Sequence, residues 1–136
     1  MRLTVKSEYA CLALIDLTER HNQGLCRISD IASRKKIPKK YLEHILLILN
    51  RGGYVTSRKG AEGGYRLAKS PEKISVAEII RLMDGALAPV YSVSEYFYER
   101  TPIERSDKLI KVFKEIRDFI SEKLERTTFD QLLSER

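Results

Sequence analysis

Basic side chains are concentrated in one stretch of this 136-residue chain. Residues 27–69 hold eleven lysines and arginines and three acidic residues, a balance of +8, whereas residues 86–136 have a balance of −1. Closely spaced cations complement the phosphates of a nucleic-acid backbone, although a basic run is often only a solvated surface. Part of the stretch, residues 58–64, reads RKGAEGG, and its glycines allow a backbone to approach a ligand closely. The chemistry that these residues predict is the binding of an anionic polymer.

Residue types that carry catalysis or bind metals are sparse. His21 and His44 stand in unrelated contexts, and neither a Ser-His-Asp set nor a zinc-type ligand spacing occurs. The glycine-rich run is not a Walker phosphate loop, because no Lys-Ser/Thr pair follows it. We therefore expect no enzymatic activity, no metal site and no cofactor.

Three helices should present the first half of the basic stretch. Apolar residues recur at spacings of three and four over residues 7–20, with Ser7 as the expected N-cap and Tyr9, Leu12, Ala13 and Leu17 on the apolar face. A short helix follows to about residue 35, and a third runs from Pro38 to about residue 51, where Gly52-Gly53 ends it. The turn at Lys36-Ile37 makes the last two a helix-turn-helix.

A hairpin follows the third helix. Residues 54–57 and 64–67 have β-forming composition and flank the basic glycine-rich turn. A helix-turn-helix followed by a hairpin is a winged helix, whose recognition helix presents its N-terminal residues to base edges in the major groove. Long cationic side chains on the hairpin turn suit the negative potential of a narrow minor groove.

The second half of the chain contains two more helix signals. Ser75 and Glu78 form a capping box for a helix over residues 76–84, and Gly85 ends it. Thr101 and Glu104 form a second capping box, which predicts a helix reaching about residue 125. Thr127 or Thr128 is then expected to cap a short terminal helix containing Phe129, Leu132 and Leu133. Residues 86–101 between them have no clear periodicity and are rich in aromatic side chains, namely Tyr91, Tyr96, Phe97 and Tyr98.

The long helix is longer than a small winged domain needs. Its apolar stripe must be covered by its own domain, by a second copy of the chain, or by both. We favour a dimer, because dimeric helix-turn-helix proteins read pseudopalindromic half-sites. The residues expected at this interface are Leu109, Val112, Phe113, Ile116, Phe119 and Ile120.

The fold class expected is mainly α with a small β-wing, a winged helix-turn-helix domain plus a long C-terminal dimerisation helix. Residues 1–85 form the DNA-binding domain, residues 86–101 the aromatic loop and candidate effector region, and residues 102–136 the dimerisation helix and short terminal helix. No apolar run approaches the ~18 residues of a membrane span, and two cysteines are too few for a disulfide framework. We expect a cytoplasmic protein that does not contact membranes.

Several segments in a fixed order resemble one family. They are MRLT at the start with Tyr-Ala at 9–10, KYLE at 40–43, GYRL at 64–67 after Gly60, ISVAEII at 74–80, and TTFDQL at 127–132. Together they are similar to the winged-helix regulators of the IscR/CymR type, which include the iron–sulfur cluster assembly regulator and the cysteine-metabolism repressor. The resemblance covers the chain except residues 86–101. It implies a homodimeric bacterial transcription regulator, of the repressor type, on a pseudopalindromic double-stranded DNA operator.

The resemblance also implies positions for the DNA contacts. The residues expected at bases or phosphates of the major groove are Lys39, Lys40, Tyr41, Glu43 and His44. Lys59 and Gly60 are expected at the minor groove with Arg58 beside them, and Thr4, Lys6 and Ser29 at backbone phosphates. Glu43 can accept a hydrogen bond from a cytosine amino group, or it can simply relieve the repulsion between Lys39 and Lys40.

One departure from the family concerns the cluster ligands. Cluster-binding members carry three cysteines in the loop after the fourth helix, and here residues 86–101 contain none. Cys11 and Cys26 lie upstream and are expected to be small buried side chains. The chain thus resembles the cluster-free branch, which implies control by a small molecule, a partner protein or thiol oxidation. The aromatic loop either fills the core or dimer interface, or forms an effector pocket.

Two alternatives remain for the function. The chain can be an interaction module that acts through a partner enzyme docked on the long helix or aromatic loop. It can also be a regulator with an atypical iron–sulfur site shared across the dimer.

Overall fold

A computed structural model of the chain describes residues 1–133, which form five α-helices and a two-stranded antiparallel hairpin. The main elements are α1 (Val5–Glu19), α2 (Ile28–Lys35), α3 (Lys39–Arg51), β1 (Val55–Arg58), β2 (Gly64–Leu67), α4 (Val76–Asp84) and α5 (Asp107–Arg126). Short 3-10 helices cover Pro71–Lys73, Tyr91–Val93, Pro102–Arg105 and Phe129–Leu132. The mainly helical fold with a small wing confirms the expected fold class.

Helix α1 begins earlier than the sequence predicts. Thr4 is the N-cap, because its side-chain oxygen accepts a hydrogen bond from the Ser7 amide at 3.1 Å. The prediction that Ser7 caps the helix is wrong: Ser7 lies in the first turn, fully buried. Leu12 was expected on the apolar face and is instead 37% exposed, because the buried face is centred on Ala10, Ala13, Leu14 and Leu17.

The core of the winged domain lies where α1, α3 and the hairpin meet. The fully buried side chains Leu14, Leu42, Ile45 and Leu49 belong to one cluster with Val55 of the hairpin. Phe129, near the chain end, is also 0% exposed in this cluster, so the terminal 3-10 helix packs against α1. Residues 127–132 therefore return from α5 to close the winged domain. Leu133 lies just beyond this 3-10 helix, whereas the sequence placed it inside a terminal helix.

A buried carboxylate joins α1 to α2. Asp16 has no exposed surface, and Arg34 of α2 donates to both of its oxygens, from Nε and from Nη2, at 2.9 Å each. Arg20 donates to Asp16 Oδ1 at 3.2 Å. This pairing fixes the position of α2 against α1, and with it the helix-turn-helix.

Backbone hydrogen bonds at Cys26, between α1 and α2, join the hairpin to the helical part of the domain. Val55 pairs with Leu67 at the base of the hairpin and Arg58 pairs with Gly64 towards its tip. Cys26 exchanges two backbone hydrogen bonds with Tyr65, both 2.8 Å long. Cys26 therefore adds a single antiparallel bridge at the edge of β2.

The boundaries of α4 agree with its predicted capping box, in which Ser75 accepts from the Glu78 amide and Glu78 accepts from the Ser75 amide. The second predicted box does not form. Glu104 instead accepts a hydrogen bond from the Tyr98 hydroxyl, so residues 102–105 make only a 3-10 turn. Helix α5 then starts at Asp107 with Ser106 as its N-cap.

None of the helices in residues 1–133 combines the length and the apolarity that crossing a membrane requires.

Candidate nucleic-acid interface

The eleven residues expected at DNA are all exposed. The buried stripe of α3 consists of Leu42, Ile45, Leu46 and Leu49, which leaves the first turns of the helix free to present polar side chains to solvent. The exposed positions on α3 are Lys39, Lys40, Tyr41, Glu43 and His44. Of the others, Ser29 lies in the first turn of α2, Arg58 ends β1, Lys59 and Gly60 follow it, and Thr4 and Lys6 begin α1.

Helices α1 and α3 form an open cavity of about 430 Å³ on this surface. Its lining consists of Lys6 from α1 and Lys40, Tyr41 and His44 from α3. The rings of Tyr9 and Tyr41 are 5.7 Å apart between centroids and tilted by 57°, a favourable aromatic geometry that connects the two helices. Tyr41 is therefore half packed and half exposed, and two cations flank it.

Glu43 makes no ion pair within residues 1–133, and neither do Lys39 and Lys40. A carboxylate whose role was to neutralise these lysines would be expected to contact one of them. Its exposed position between two unpaired cations leaves its oxygens available as acceptors. This arrangement favours the hypothesis that Glu43 reads a base, although relief of repulsion at longer range remains compatible with it.

Thr4 is engaged within the protein. Its amide and its hydroxyl donate to the two carboxylate oxygens of Asp84 at 3.1 and 2.5 Å, while its Oγ1 also accepts from Ser7. The contact joins the N-terminus of α1 to the C-terminal end of α4. Thr4 can therefore act on DNA by fixing the direction of α1 and the position of Lys6, and this role does not require a direct contact.

Two glycines of the wing are required by the backbone of the protein itself. A Cβ on Gly63 would lie 2.1 Å from the carbonyl oxygen of Arg58, and one on Gly64 would lie 2.5 Å from that of Cys26. Gly60, in contrast, has φ +110° and open space around it. Close approach to DNA is thus available at Gly60, whereas Gly63 and Gly64 let the hairpin close and dock.

Arg27 braces the wing, and sequence reasoning did not identify it. This residue precedes α2, and its Nη2 donates to the carbonyl oxygen of Ala61 at 3.0 Å. Ala61 lies in the turn that also carries Lys59 and Gly60. The helix-turn-helix and the wing are therefore connected directly at the end of the hairpin that bears the expected minor-groove contacts.

Arg27→Ala is expected to weaken binding to an operator about five-fold, because a wing released from this hydrogen bond must be ordered on binding, at a cost of roughly 1 kcal/mol. The measurement is a double-mutant cycle with Lys59→Ala, read by fluorescence anisotropy on operator DNA. If Arg27 positions the wing, Lys59→Ala has a smaller effect in the Arg27→Ala background. Full additivity of the two effects would contradict the brace.

The four aromatic side chains of residues 86–101 do not share one cavity. Tyr91 lines a cavity of about 190 Å³ next to Asp84, whereas Tyr96 and Phe97 line a much smaller crevice of about 10 Å³ beside Arg81. The Arg81 guanidinium lies 4.9 Å from the centre of the Tyr96 ring and donates to Glu125 at 2.7 Å. Tyr98 bonds Glu104, which raises the pKa of its hydroxyl. The loop is thus anchored to α4 and α5.

The two cysteines have different surroundings. Burial, and to a smaller extent the Asp84 carboxylate, raise the pKa of Cys11 to about 11. Burial is also the first cause that raises the pKa of Cys26, followed by the Asp16 carboxylate, while Arg34 acts in the opposite direction. Both thiols therefore favour the protonated form. Within residues 1–133, no three His, Cys, Asp or Glu side chains are grouped as metal ligands would be.

The residues that sequence reasoning missed carry one recognisable signal. Asp16 stands among apolar positions of α1, at i+3 from Ala13, and a lone carboxylate on a buried face predicts a cationic partner. Nothing local in the sequence indicates that the partner is Arg34. Arg27 and Asp84 carry no comparable signal, because their partners Ala61 and Thr4 are 34 and 80 residues away.

Comparison with known proteins places the chain among transcription regulators. The profile of the Rrf2 family, described as an iron-dependent transcriptional regulator, matches residues 3–135. An rrf2-like HTH-type transcriptional regulator of Rhodobacter capsulatus is 38% identical over 120 residues, which are 84% of this chain and 80% of that protein. The HTH-type transcriptional regulator CymR of Bacillus subtilis is 31% identical over 98% of this chain and 91% of its own length.

Solved structures agree. The structure of CymR, the global cysteine regulator of B. subtilis, superimposes with a TM-score of 0.77 at 31% identity, covering 97% of this chain and 95% of that one. The structure of IscR of T. potens gives a TM-score of 0.75 at 26% identity, covering 97% and 85%. A winged helix-turn-helix fold, a basic exposed recognition helix and these matches along nearly the whole sequence lead to one conclusion. The chain belongs to the Rrf2 family of DNA-binding transcriptional regulators.

Proposed function

We propose that this chain is a homodimeric repressor that binds a pseudopalindromic operator through the N-terminal turns of α3 in the major groove and through the wing in the minor groove. The observation that carries the proposal is the set of exposed cations on α3 and at the wing that make no ion pair within residues 1–133. Those cations are Lys39, Lys40, Arg58 and Lys59. Unpaired cations can neutralise phosphates without first breaking contacts within the protein.

The exposed face of α5 supports the dimer. Leu109, Val112, Ile116 and Phe119 are 40, 49, 40 and 73% exposed, and their spacing of three, four and three residues is that of a coiled-coil seam. Phe113 and Ile120 are half-buried beside them, on a helix that also contacts α4. One side of α5 thus packs on its own chain, and the apolar seam on the other side suits a second copy.

Repression and a cytoplasmic location are parts of the same proposal. A dimer that occupies both grooves at two half-sites excludes polymerase from a promoter that overlaps them. Because the chromosome of a bacterium lies in its cytoplasm, a regulator of this kind acts there.

The function is tested by selecting bound sequences from a random DNA library and then titrating the best one at several salt concentrations. We expect a pseudopalindrome bound about 10³-fold or more tightly than unrelated DNA, and an affinity that falls as salt rises. Binding that does not discriminate between sequences at any salt concentration would contradict the proposal.

A pair of substitutions on α3 separates base reading from phosphate binding. Glu43→Ala should relax discrimination at one base pair, worth about 1–3 kcal/mol, because a carboxylate accepts from cytosine and is left unpaired at other bases. Lys40→Ala should weaken all sequences alike and reduce the salt slope by about one. Both are measured against operators mutated at each position. If the two variants behave identically, Glu43 does not read a base.

An iron–sulfur cluster, which the resemblance to the cluster-binding members implies, does not fit the residues of this chain. A cluster needs about four ligands, mostly thiolates, and each copy of the chain supplies two cysteines, which stand in different surroundings. Burial favours the neutral thiol of Cys11, and Cys11 and Cys26 lie near different carboxylates, Asp84 and Asp16. We therefore derive no step through a cluster.

Control by a small molecule or a partner protein is better supported than control by thiol oxidation. Oxidants react with the thiolate, and both thiols are shifted towards the protonated form. The aromatic residues predicted as an effector pocket divide into Tyr91, which lines an open cavity, and Tyr96 and Phe97, which pack beside Arg81. We propose the side of the loop that carries Tyr91 as the effector side.

A further inference from the structure

A cavity of about 190 Å³ lies beneath the N-terminus, at the end of α4 and against the first part of the aromatic loop. Its apolar wall includes Ile80, Ala88 and Val90, with Tyr91 at one side. Ligand sites for drug-sized molecules begin at about 300 Å³, so an occupant of this cavity must be small.

Arg2 and Asp84, which carry opposite charges, both line this small cavity and form no ion pair with each other. Asp84 accepts hydrogen bonds from the amide and hydroxyl of Thr4, both of them neutral donors. Arg2 forms no ion pair with Asp84 or with another carboxylate within residues 1–133. The site therefore offers the carboxylate of Asp84, which a cationic donor would bind more strongly than Thr4 does. It also offers the guanidinium of Arg2, which would bind a carboxylate.

We propose that this cavity binds a free aliphatic amino acid, with the ammonium group on Asp84, the carboxylate on Arg2 and the side chain against Ile80, Ala88 and Val90. A zwitterion supplies both charges that the cavity lacks, and an aliphatic side chain of a few carbons matches the apolar wall and the volume. An amine alone leaves Arg2 without a partner, and a carboxylic acid alone has nothing for Asp84.

The position of the cavity connects this ligand to DNA binding, a consequence that rests on the proposed function. An ammonium group on Asp84 competes with Thr4, which is the N-cap of α1. Lys6, two residues later, lines the open cavity between α1 and α3 on the DNA-binding surface. Release of Thr4 loosens the first turn of α1, so amino acid and operator oppose each other, and each lowers the affinity for the other by the same factor.

The binding test uses the full chain without DNA, so its result does not depend on the proposed function. The backbone amide signals of Ala88, Val90 and Tyr91 are followed by NMR during titration with L-valine, isobutylamine and 3-methylbutanoate. The last two are valine without its carboxylate and without its ammonium group. We expect saturable shifts with valine and at least ten-fold weaker binding of both analogues. Asp84→Asn and Arg2→Gln should each weaken valine binding about ten-fold, and Arg105→Gln should leave it unchanged.

Three results would overturn the site. They are the absence of saturable shifts at these amides with valine and with every other aliphatic amino acid, equal binding of either analogue, or unchanged binding to both cavity variants. A second arm measures operator affinity with and without valine. We expect weaker operator binding by the wild type and no effect on Asp84→Asn. If valine binds at the site and operator affinity does not change, the coupling through Thr4 is wrong, while failure of the operator selection contradicts only the proposed function.

Discussion

Replacing Asp16 with alanine is expected to lower the free energy of unfolding by about 3 kcal/mol. Asp16 is completely buried, and it accepts three hydrogen bonds from Arg34 and Arg20. Removing one partner of a buried pair costs about 3–5 kcal/mol, because the remaining charge is left uncompensated. The lower end applies here, since the two arginine side chains are about one third exposed and water can solvate them.

The measurement for Asp16 is urea unfolding monitored by circular dichroism, with Glu19→Ala as the matched control. Glu19 also joins α1 to α2, through Lys35 at 2.7 Å, but its side chain is 31% exposed. An exposed pair contributes only about 0–1 kcal/mol, so the control should be close to the wild type. Asp16→Asn keeps the shape and removes the charge, and it should fall between the two. The account of Asp16 is wrong if its alanine variant is no less stable than the control.

Introducing aspartate at Ile116 or Phe119 is expected to convert the proposed dimer into monomers and to abolish tight operator binding. At a symmetric seam each substitution places two carboxylates in the interface, and burying each uncompensated charge costs several kcal/mol. The dimer dissociation constant should rise by about 10³-fold or more, and operator affinity should fall by at least ~100-fold, since each monomer holds a single half-site.

The state of association is measured by analytical ultracentrifugation over a range of concentrations, and DNA binding on complete and half operators. Lys114→Asp is the control, because it adds the same carboxylate to an exposed polar position of α5 on the side away from the seam. It should remain dimeric. An Ile116→Asp or Phe119→Asp variant that stays dimeric would contradict this choice of interface. Unchanged circular dichroism spectra establish that the monomer is still folded.

Two capping boxes and one buried side chain show how far local patterns in the sequence predict the structure. The capping box at Ser75 and Glu78 was predicted correctly, because both partners lie within one turn. The same pattern at Thr101 and Glu104 did not make a cap, because Tyr98 takes the Glu104 carboxylate. Phe129 could be assigned to a short helix, but its burial against α1, more than a hundred residues earlier in the chain, was not visible in the pattern.

The winged-helix order of elements, the basic surface and the family could all be predicted from the sequence. These depend on short-range features: the apolar period of each helix, the turn residues, and the order of motifs along one chain. The cations at Lys39, Lys40 and Lys59 are already grouped in the sequence, so their exposure on one domain could be anticipated.

How these elements are held together could not be predicted, because it depends on contacts between residues far apart in the chain. The pairing of Asp16 with Arg34, the brace from Arg27 to Ala61 and the contact of Thr4 with Asp84 join residues 18, 34 and 80 positions apart. A hydrogen bond depends on the distance and direction between two groups, and a chain of fixed sequence can bring many pairs together. Which two groups meet is set by the packing of whole helices and strands, because each helix or hairpin positions all of its side chains together.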